Sequence, residues 1–356
     1  MKILQLIQRP QLRGAEIFTS QLSNHLQTLN HEIVMVSLFA GTTNLPFAGK
    51  QVHLKLKPIN RWLDFVGYRS IARLVHREKP DVVQANSGDT LKYAVLSKIV
   101  FRWKVPIVFR NASMVSLYIK NPLVKALNSL LYQKISAVVS VSEASRRDIN
   151  KLFPHTKYKS IVIPVGIEKV EVSLLRRNHY PHFIHVGGFS FEKNHLGLIR
   201  IYKNLLEKYP MAHLSLVGDG PLRSEIEKIV KEMQINDKVT FHGYKDDQLS
   251  RIASSNILLL PSIIEGFPAV ILESFYCKTP VVAFNVGGIS ELITENFSGK
   301  LVPLNDKNRF VSSVIQLLEN KSQTKQIINN AYSLVLEKYT NEQIAQRFSE
   351  FYTRFK

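Results

Sequence analysis

Two carboxylates and an ammonium group are the side chains of this sequence best suited to chemistry: Glu265, Glu273 and Lys193. Both glutamates lie in PSIIEGFPAVILESF, which follows the apolar run Ile257–Leu260. That run reads as a buried strand, the next residues as a loop carrying Glu265, and Pro268 as the start of a helix carrying Glu273. Proline fits a first helical turn because its missing N–H is one of the donors left over there. The N–H groups of Ala269 and Val270, with Gly266 and Phe267 just before them, then face whatever sits at the carboxyl edge of the sheet, a place suited to phosphate. A diphosphate with hydroxylated groups at both ends suits this layout, with amides for the phosphates and carboxylates for the hydroxyls. Lys193 lies in HVGGFSFEKNHLGLI, read as strand, Gly187-Gly188 turn, loop and helix. An ammonium placed just before a helix can reach a phosphate.

Positioning such groups takes strands and helices in alternation, and the chain supplies them. Short apolar runs at Lys2–Ile7, Glu32–Leu38, Val82–Ala85, Ile107–Phe109 and Ala137–Val141 read as strands. Between and after them, helical periodicity appears at Ala15–Leu29, Phe65–Arg77, Thr90–Phe101, Val124–Lys134 and Glu143–Leu152. The proline-bracketed stretch 161–181 reads as an interdomain linker, after which the alternation restarts at Phe183–Val186. It continues through Leu214–Val217, Val239–Phe241, Ile257–Leu260 and Pro280–Ala283, and three helical stretches end the chain. The expected fold is therefore α/β, with two parallel-sheet domains whose carboxyl-edge loops meet across one cleft. The domains expected are 1–165, a linker at 166–181, 182–340, and a final helix at 341–356 that crosses back to the first domain.

The Glu265–Glu273 segment, taken with PVV and VGG after it, resembles the donor-binding signature of retaining GT-B glycosyltransferases of the family 4 group, of the bacterial surface-polysaccharide type. The resemblance implies two Rossmann-like doubly wound domains and a nucleotide-sugar donor. It implies that Glu265 holds sugar hydroxyls, Glu273 the nucleotide ribose and Lys193 the diphosphate. The segments at Gly218–Leu222 and Gly243-Tyr244 match elements near the nucleotide and its base, read chiefly as scaffold. Three departures stand out. Gly188 replaces a usual arginine, Arg13 replaces the first glycine of a Gly-Gly turn in which Gly14 is kept, and Asn111 replaces a common histidine near the sugar. Arg13 is one candidate for the cation absent at 188. Asn111 can hydrogen-bond but cannot titrate, so no base is expected there. Arg110 beside it reads equally as an acceptor-orienting cation or a solvent-facing strand end. With no obvious covalent nucleophile, a front-face route with retention is the mechanism implied. UDP is favoured over GDP.

Composition narrows the partners. At 356 residues, 45% hydrophobic and 21% charged, the chain suits two globular domains. No apolar run is long enough to span a bilayer, and no signal peptide is read at the start. The single cysteine, Cys277, excludes an internal disulfide and fits a reducing cytosol. Neither the histidines nor Asp246-Asp247 have metal-ligand spacing, so no metal or other cofactor is expected. Residues 1–170 hold 25 Lys and Arg against 9 Asp and Glu, whereas residues 171–356 hold 22 against 19. A basic first half, with Arg69, Arg73 and Arg77 along one helix face and Lys120, Lys125 and Lys134 beyond, suggests a peripheral enzyme on an anionic membrane surface, at the inner face of the cytoplasmic membrane. A lipid-linked or growing saccharide is the acceptor implied by resemblance. Two alternatives stand beside this reading: a nucleotide-sugar epimerase of the same broad fold, and a basic nucleic-acid-binding protein. No recognisable nucleic-acid module supports the latter.

Overall fold

The computed structural model describes residues 1–41, 43–57, 62–174 and 180–356. The chain divides into two units: residues 1–168 with 340–356, and residues 169–339.

The first unit runs β1 (Lys2–Ile7), α1 (Gly14–Thr28), β2 (Glu32–Phe39), β3 (Lys50–Leu56), α2 (Phe65–Glu78), β4 (Val82–Ala85), α3 (Gly88–Phe101), β5 (Ile107–Asn111), α4 (Pro122–Gln133), β6 (Ala137–Ser140), α5 (Glu143–Leu152) and β7 (Ser160–Val162). Its strands are parallel, in the order β3-β2-β1-β4-β5-β6-β7. The central strands are mostly apolar because both faces are covered, as parallel sheets require, with Gln5, Gln84, Arg110 and Asn111 as buried polar exceptions. The reversal of strand order between β1 and β4 leaves a crevice at their carboxyl ends, where ligands of such sheets bind. Helix starts are set by short polar caps. Asp64 caps α2, and Ser87 and Ser142 form reciprocal caps with Thr90 and Ser145 at α3 and α5.

The second unit runs β8 (His182–Val186), α6 (His195–Lys208), β9 (His213–Val217), α7 (Arg223–Glu232), β10 (Val239–Gly243), α8 (Gln248–Ala253), β11 (Ile257–Leu260), α9 (Ala269–Tyr276), β12 (Val281–Phe284), β13 (Lys300–Val302), α10 (Lys307–Glu319) and α11 (Lys321–Lys338). Its parallel order β10-β9-β8-β11-β12-β13 puts the switch point between β8 and β11. A core of Phe183, Leu198, Leu214, Leu259, Phe310 and their neighbours fills one face of this sheet.

The last helix, α12 (Asn341–Tyr352), belongs to the first unit and packs on α1. Ile344, Ala345, Phe348 and Tyr352 form its buried stripe. The Tyr352 hydroxyl donates to Gln84 on β4 and accepts from Gln5 on β1. This anchors the end of the chain in the middle of the first sheet.

Several expectations need correction. Residues 161–162 lie in β7, and residues 166–168 are built into the first unit rather than left as a linker. Ile167 bridges to Thr340, and Glu168 accepts from Asn341 and pairs with His25. Residues 175–179 of the expected linker lie outside the described residues. Strand β3 escaped notice because KQVHLKL is an edge strand of alternating exposure, without an apolar run. Pro268 is the residue capping α9, one position before the helix, with extended backbone.

The Tyr352 anchor leads to a prediction. Tyr352→Phe should cost about 1–3 kcal/mol by leaving the buried Gln84 and Gln5 amides short of a partner, read from denaturant unfolding. An unchanged midpoint would show that these amides find another partner.

Candidate active site

The switch point of the second unit gathers Lys193 and Glu265. β8 ends at Val186 and runs into Gly187-Gly188, and β11 ends at Leu260 and runs into the loop that carries Glu265. Three contacts join these loops. Asn194 Nδ2 donates to the Pro261 carbonyl at 2.9 Å, Ile263 N to the Glu192 carbonyl at 2.8 Å, and Lys193 Nζ to Glu265 Oε1 at 2.7 Å. Asn194 holds the left-handed conformation, φ 54°, that asparagine tolerates, and its Oδ1 also caps α6 by accepting from Gly197 N. Glu265 is buried, and its partner Lys193 remains partly open.

Glycines make this approach feasible. Gly287 sits at φ +54°, and a Cβ there would lie 1.7 Å from the Glu265 carbonyl oxygen. The Gly287-Gly288 turn therefore backs the Glu265 loop directly, which explains the VGG sequence after β12. Gly187 seats the lysine stem, since a Cβ there would come within 3.3 Å of both Lys193 Cδ and His185 Nε2. At Gly188 a Cβ would meet only the Asp219 carbonyl, at 3.5 Å, so backbone crowding does not explain the missing arginine.

Behind the Lys193 loop lie two buried histidines. His185 Nδ1 donates to the Leu259 carbonyl at 2.8 Å, which leaves Nε2 without its proton. His195 stacks on Phe189 at 4.0 Å and meets His185 edge-on at 4.8 Å. Burial, with the Lys193 charge adding to it, lowers His185 to about 4 and His195 to about 2. Both rings stay neutral, so Lys193 is the cation this loop presents.

Glu273 lies on α9, half-buried, and accepts from Gln248 Nε2 at 2.5 Å. Protein atoms crowded around its carboxyl push its pKa up to about 7. α9 begins without a capping side chain, so no side-chain oxygen occupies its first-turn amides. Ala269 is partly exposed, while Gly266, Phe267 and Val270 are buried; Phe267 packs on Tyr339. Gly243 holds φ +67° at the end of β10, and exposed Tyr244 donates to the Asp219 carbonyl at 3.3 Å. Arg223 spends its guanidinium on Glu227 and Asp219, as a surface pair would. Gln248 and the two histidines carried no signal that sequence reasoning could use.

The other candidates belong to the first unit. Gly14 opens α1 and Arg13 caps it, both exposed, with open space where a Gly14 Cβ would stand. Asn111, at the end of β5, is buried, and its Nδ2 donates to the Ser145 carbonyl at 3.2 Å and lies 3.5 Å from Ser140 Oγ. Its amide thus ties β5 to α5. Arg110 does not face solvent. It is buried, lies 4.3 Å above the Phe18 ring, and leaves one guanidinium nitrogen without a hydrogen-bond partner. Burial lowers its pKa to about 10 against the pull of nearby Glu16, whose own pKa burial raises.

Two family models match the chain in succession. Glycosyltransferase Family 4 covers residues 12–170, and Glycosyl transferases group 1 covers residues 167–334. The chain is a GT-B glycosyltransferase. Among similar proteins is the N-acetyl-alpha-D-glucosaminyl L-malate synthase of Bacillus anthracis, 23% identical over 96% of this chain and 94% of that one. The Campylobacter jejuni N-acetylgalactosamine-N,N'-diacetylbacillosaminyl-diphospho-undecaprenol 4-alpha-N-acetylgalactosaminyltransferase is 25% identical over 67% of each chain. Among solved structures, Anabaena HepE in complex with UDP-glucose superposes with a TM-score of 0.83 at 19% identity, covering 99% of this chain and 100% of its own. Sucrose-phosphate synthase from Thermosynechococcus elongatus gives 0.85 at 18% identity, covering 99% and 98%.

Two predictions follow from this geometry. Gly287→Ala should push the Glu265 loop out of place and lower turnover by roughly 100-fold or more; near-normal turnover would mean the turn yields without moving the glutamate. Glu273 is an acid whose folded pKa is raised above its unfolded value near 4.5. Its folded form therefore binds the extra proton between about pH 4.5 and 7, and its contribution to stability falls as pH rises through that window. Relative to wild type, Glu273→Gln should gain roughly 1–3 kcal/mol between pH 5 and 8. A constant difference across that range would show that the carboxyl is not held protonated.

Proposed function

We propose that this enzyme transfers a sugar from a nucleotide-sugar, with UDP favoured over GDP, to a saccharide or lipid-linked saccharide acceptor in bacterial surface-polysaccharide assembly. The observation that carries the proposal is the Lys193–Glu265 pair at the switch point, 2.7 Å apart, beside the uncapped start of α9. On this reading an incoming diphosphate draws Lys193 and the amides of Ala269 and Val270, and frees the Glu265 carboxylate to accept sugar hydroxyls. Glu273 accepts from the ribose. Retention follows a front-face path: the departing diphosphate, stabilised by Lys193 and the helix-start amides, takes the acceptor's proton on its own oxygen. No protein nucleophile and no metal are part of this scheme. The first unit holds the acceptor, with Arg13 and Gly14 at the start of α1 as its cation and its point of close backbone approach. The UDP-glucose complex of HepE and the undecaprenol-linked substrate in the name of the Campylobacter relative support the donor and acceptor classes. The basic first half supports attachment to an anionic membrane surface.

The test is a thermal-shift screen against nucleotide-sugars, followed by kinetics with the donor that stabilises the protein most. Glu273→Ala should raise the donor KM by about 10- to 100-fold with little change in kcat, whereas Glu265→Ala should lower kcat by about 100-fold or more. Wild-type kinetics in both variants would remove these residues from the site. Conversion of donor alone to an epimer would favour an isomerase instead.

A further inference from the structure

Helix α4 carries apolar residues on two sides. Its buried side carries Asn128, Leu131 and Tyr132, and Asn128 satisfies its amide by donating to the Val124 carbonyl one turn back. Leu123, Leu127 and Leu130, spaced as one helical stripe, face outward instead, with 70%, 36% and 58% of their surface exposed. Water does not favour a leucine stripe on a globular surface, and a contiguous apolar face of this kind marks an interaction site.

The charges around the stripe identify its partner. Residues 90–142 contain eight Lys and Arg and no Asp or Glu. Lys120, Lys125 and Lys134, on or beside α4, are all exposed. Lys120 and Lys134 bracket the stripe at its two ends, and Lys125 lies on another exposed side of the helix. An apolar helix face with lysines around it is the composition of a helix that lies in a membrane interface, its leucines at the acyl boundary and its long-stemmed ammonium groups among headgroup phosphates. A second copy of the chain is a poorer occupant, because a two-fold contact would set these lysines against their own copies.

We infer that α4 is the element by which the first unit inserts into an anionic lipid surface. The inference rests on the membrane reading above and adds an apolar component to it. α4 starts at the carboxyl edge of the first sheet, the edge that carries Gly14 and Arg110. Leu117 and Tyr118, exposed just before it, lie at the same edge. Insertion there brings a lipid-linked acceptor to the ligand-binding edge of the unit without its having to leave the bilayer.

The full chain would be sedimented with vesicles of phosphatidylcholine alone and of phosphatidylcholine with phosphatidylglycerol, at low and high salt. Wild type should bind the anionic vesicles and keep part of its binding at high salt, because apolar contacts are not screened. Leu123→Ser, Leu127→Ser and Leu130→Ser together should weaken binding by at least about tenfold and abolish the salt-resistant part, with an unchanged thermal midpoint. Leu127→Trp should gain a fluorescence component quenched by brominated acyl chains. Equal binding by the leucine variant, or no such quenching, would overturn the role of α4 while leaving electrostatic attachment standing. No binding of wild type to anionic vesicles would overturn both. Lipid-free self-association that the leucine variant abolishes would assign the stripe to a second copy instead.

Discussion

Two loops at the switch point of the second sheet are tied together by Asn194, which adopts a left-handed backbone and donates to the Pro261 carbonyl. That one residue also starts α6, so the register of the helix, the height of Lys193 and the approach of the Glu265 loop are set together. The ion pair between Lys193 and Glu265 closes the arrangement. Removing one partner of a fully buried pair costs roughly 3–5 kcal/mol, and a partly open pair such as this one costs less. A pair held this way is already formed without a ligand, and its ammonium stays partly open.

The surroundings keep that cation distinct. Two imidazoles lie directly behind it, and both are neutral because burial penalises their charged forms. Gly287 removes a side chain that would collide with the Glu265 loop, and Gly187 leaves room for the Lys193 stem. The first unit is built differently: its carboxyl edge holds a buried, incompletely paired Arg110, and its sheet is completed by a helix from the far end of the chain.

Most of the regular structure was legible from periodicity. Continuous apolar runs marked the buried parallel strands, and the long amphipathic stretches marked the helices. Strand β3 was missed because an edge strand needs no apolar run, and β7 and β13 because three residues leave too short a pattern. Hydrophobic spacing also located α4 without revealing that Leu123, Leu127 and Leu130 face outward, since periodicity identifies a stripe and not what covers it.

The amino-acid sequence alone determined the α/β class and the two-unit repetition, because local periodicity suffices for both, and it offered Glu265, Glu273 and Lys193 as candidates through the resemblance of the segments that carry them. Tertiary structure decided which of those groups touch. It paired Lys193 with Glu265 across a separation of 72 residues, surrounded Glu273 closely enough to raise its pKa, buried Arg110 and Asn111, and returned α12 to the first sheet. Burial and long-range contact depend on where distant segments come to rest, and no local pattern in the chain encodes that.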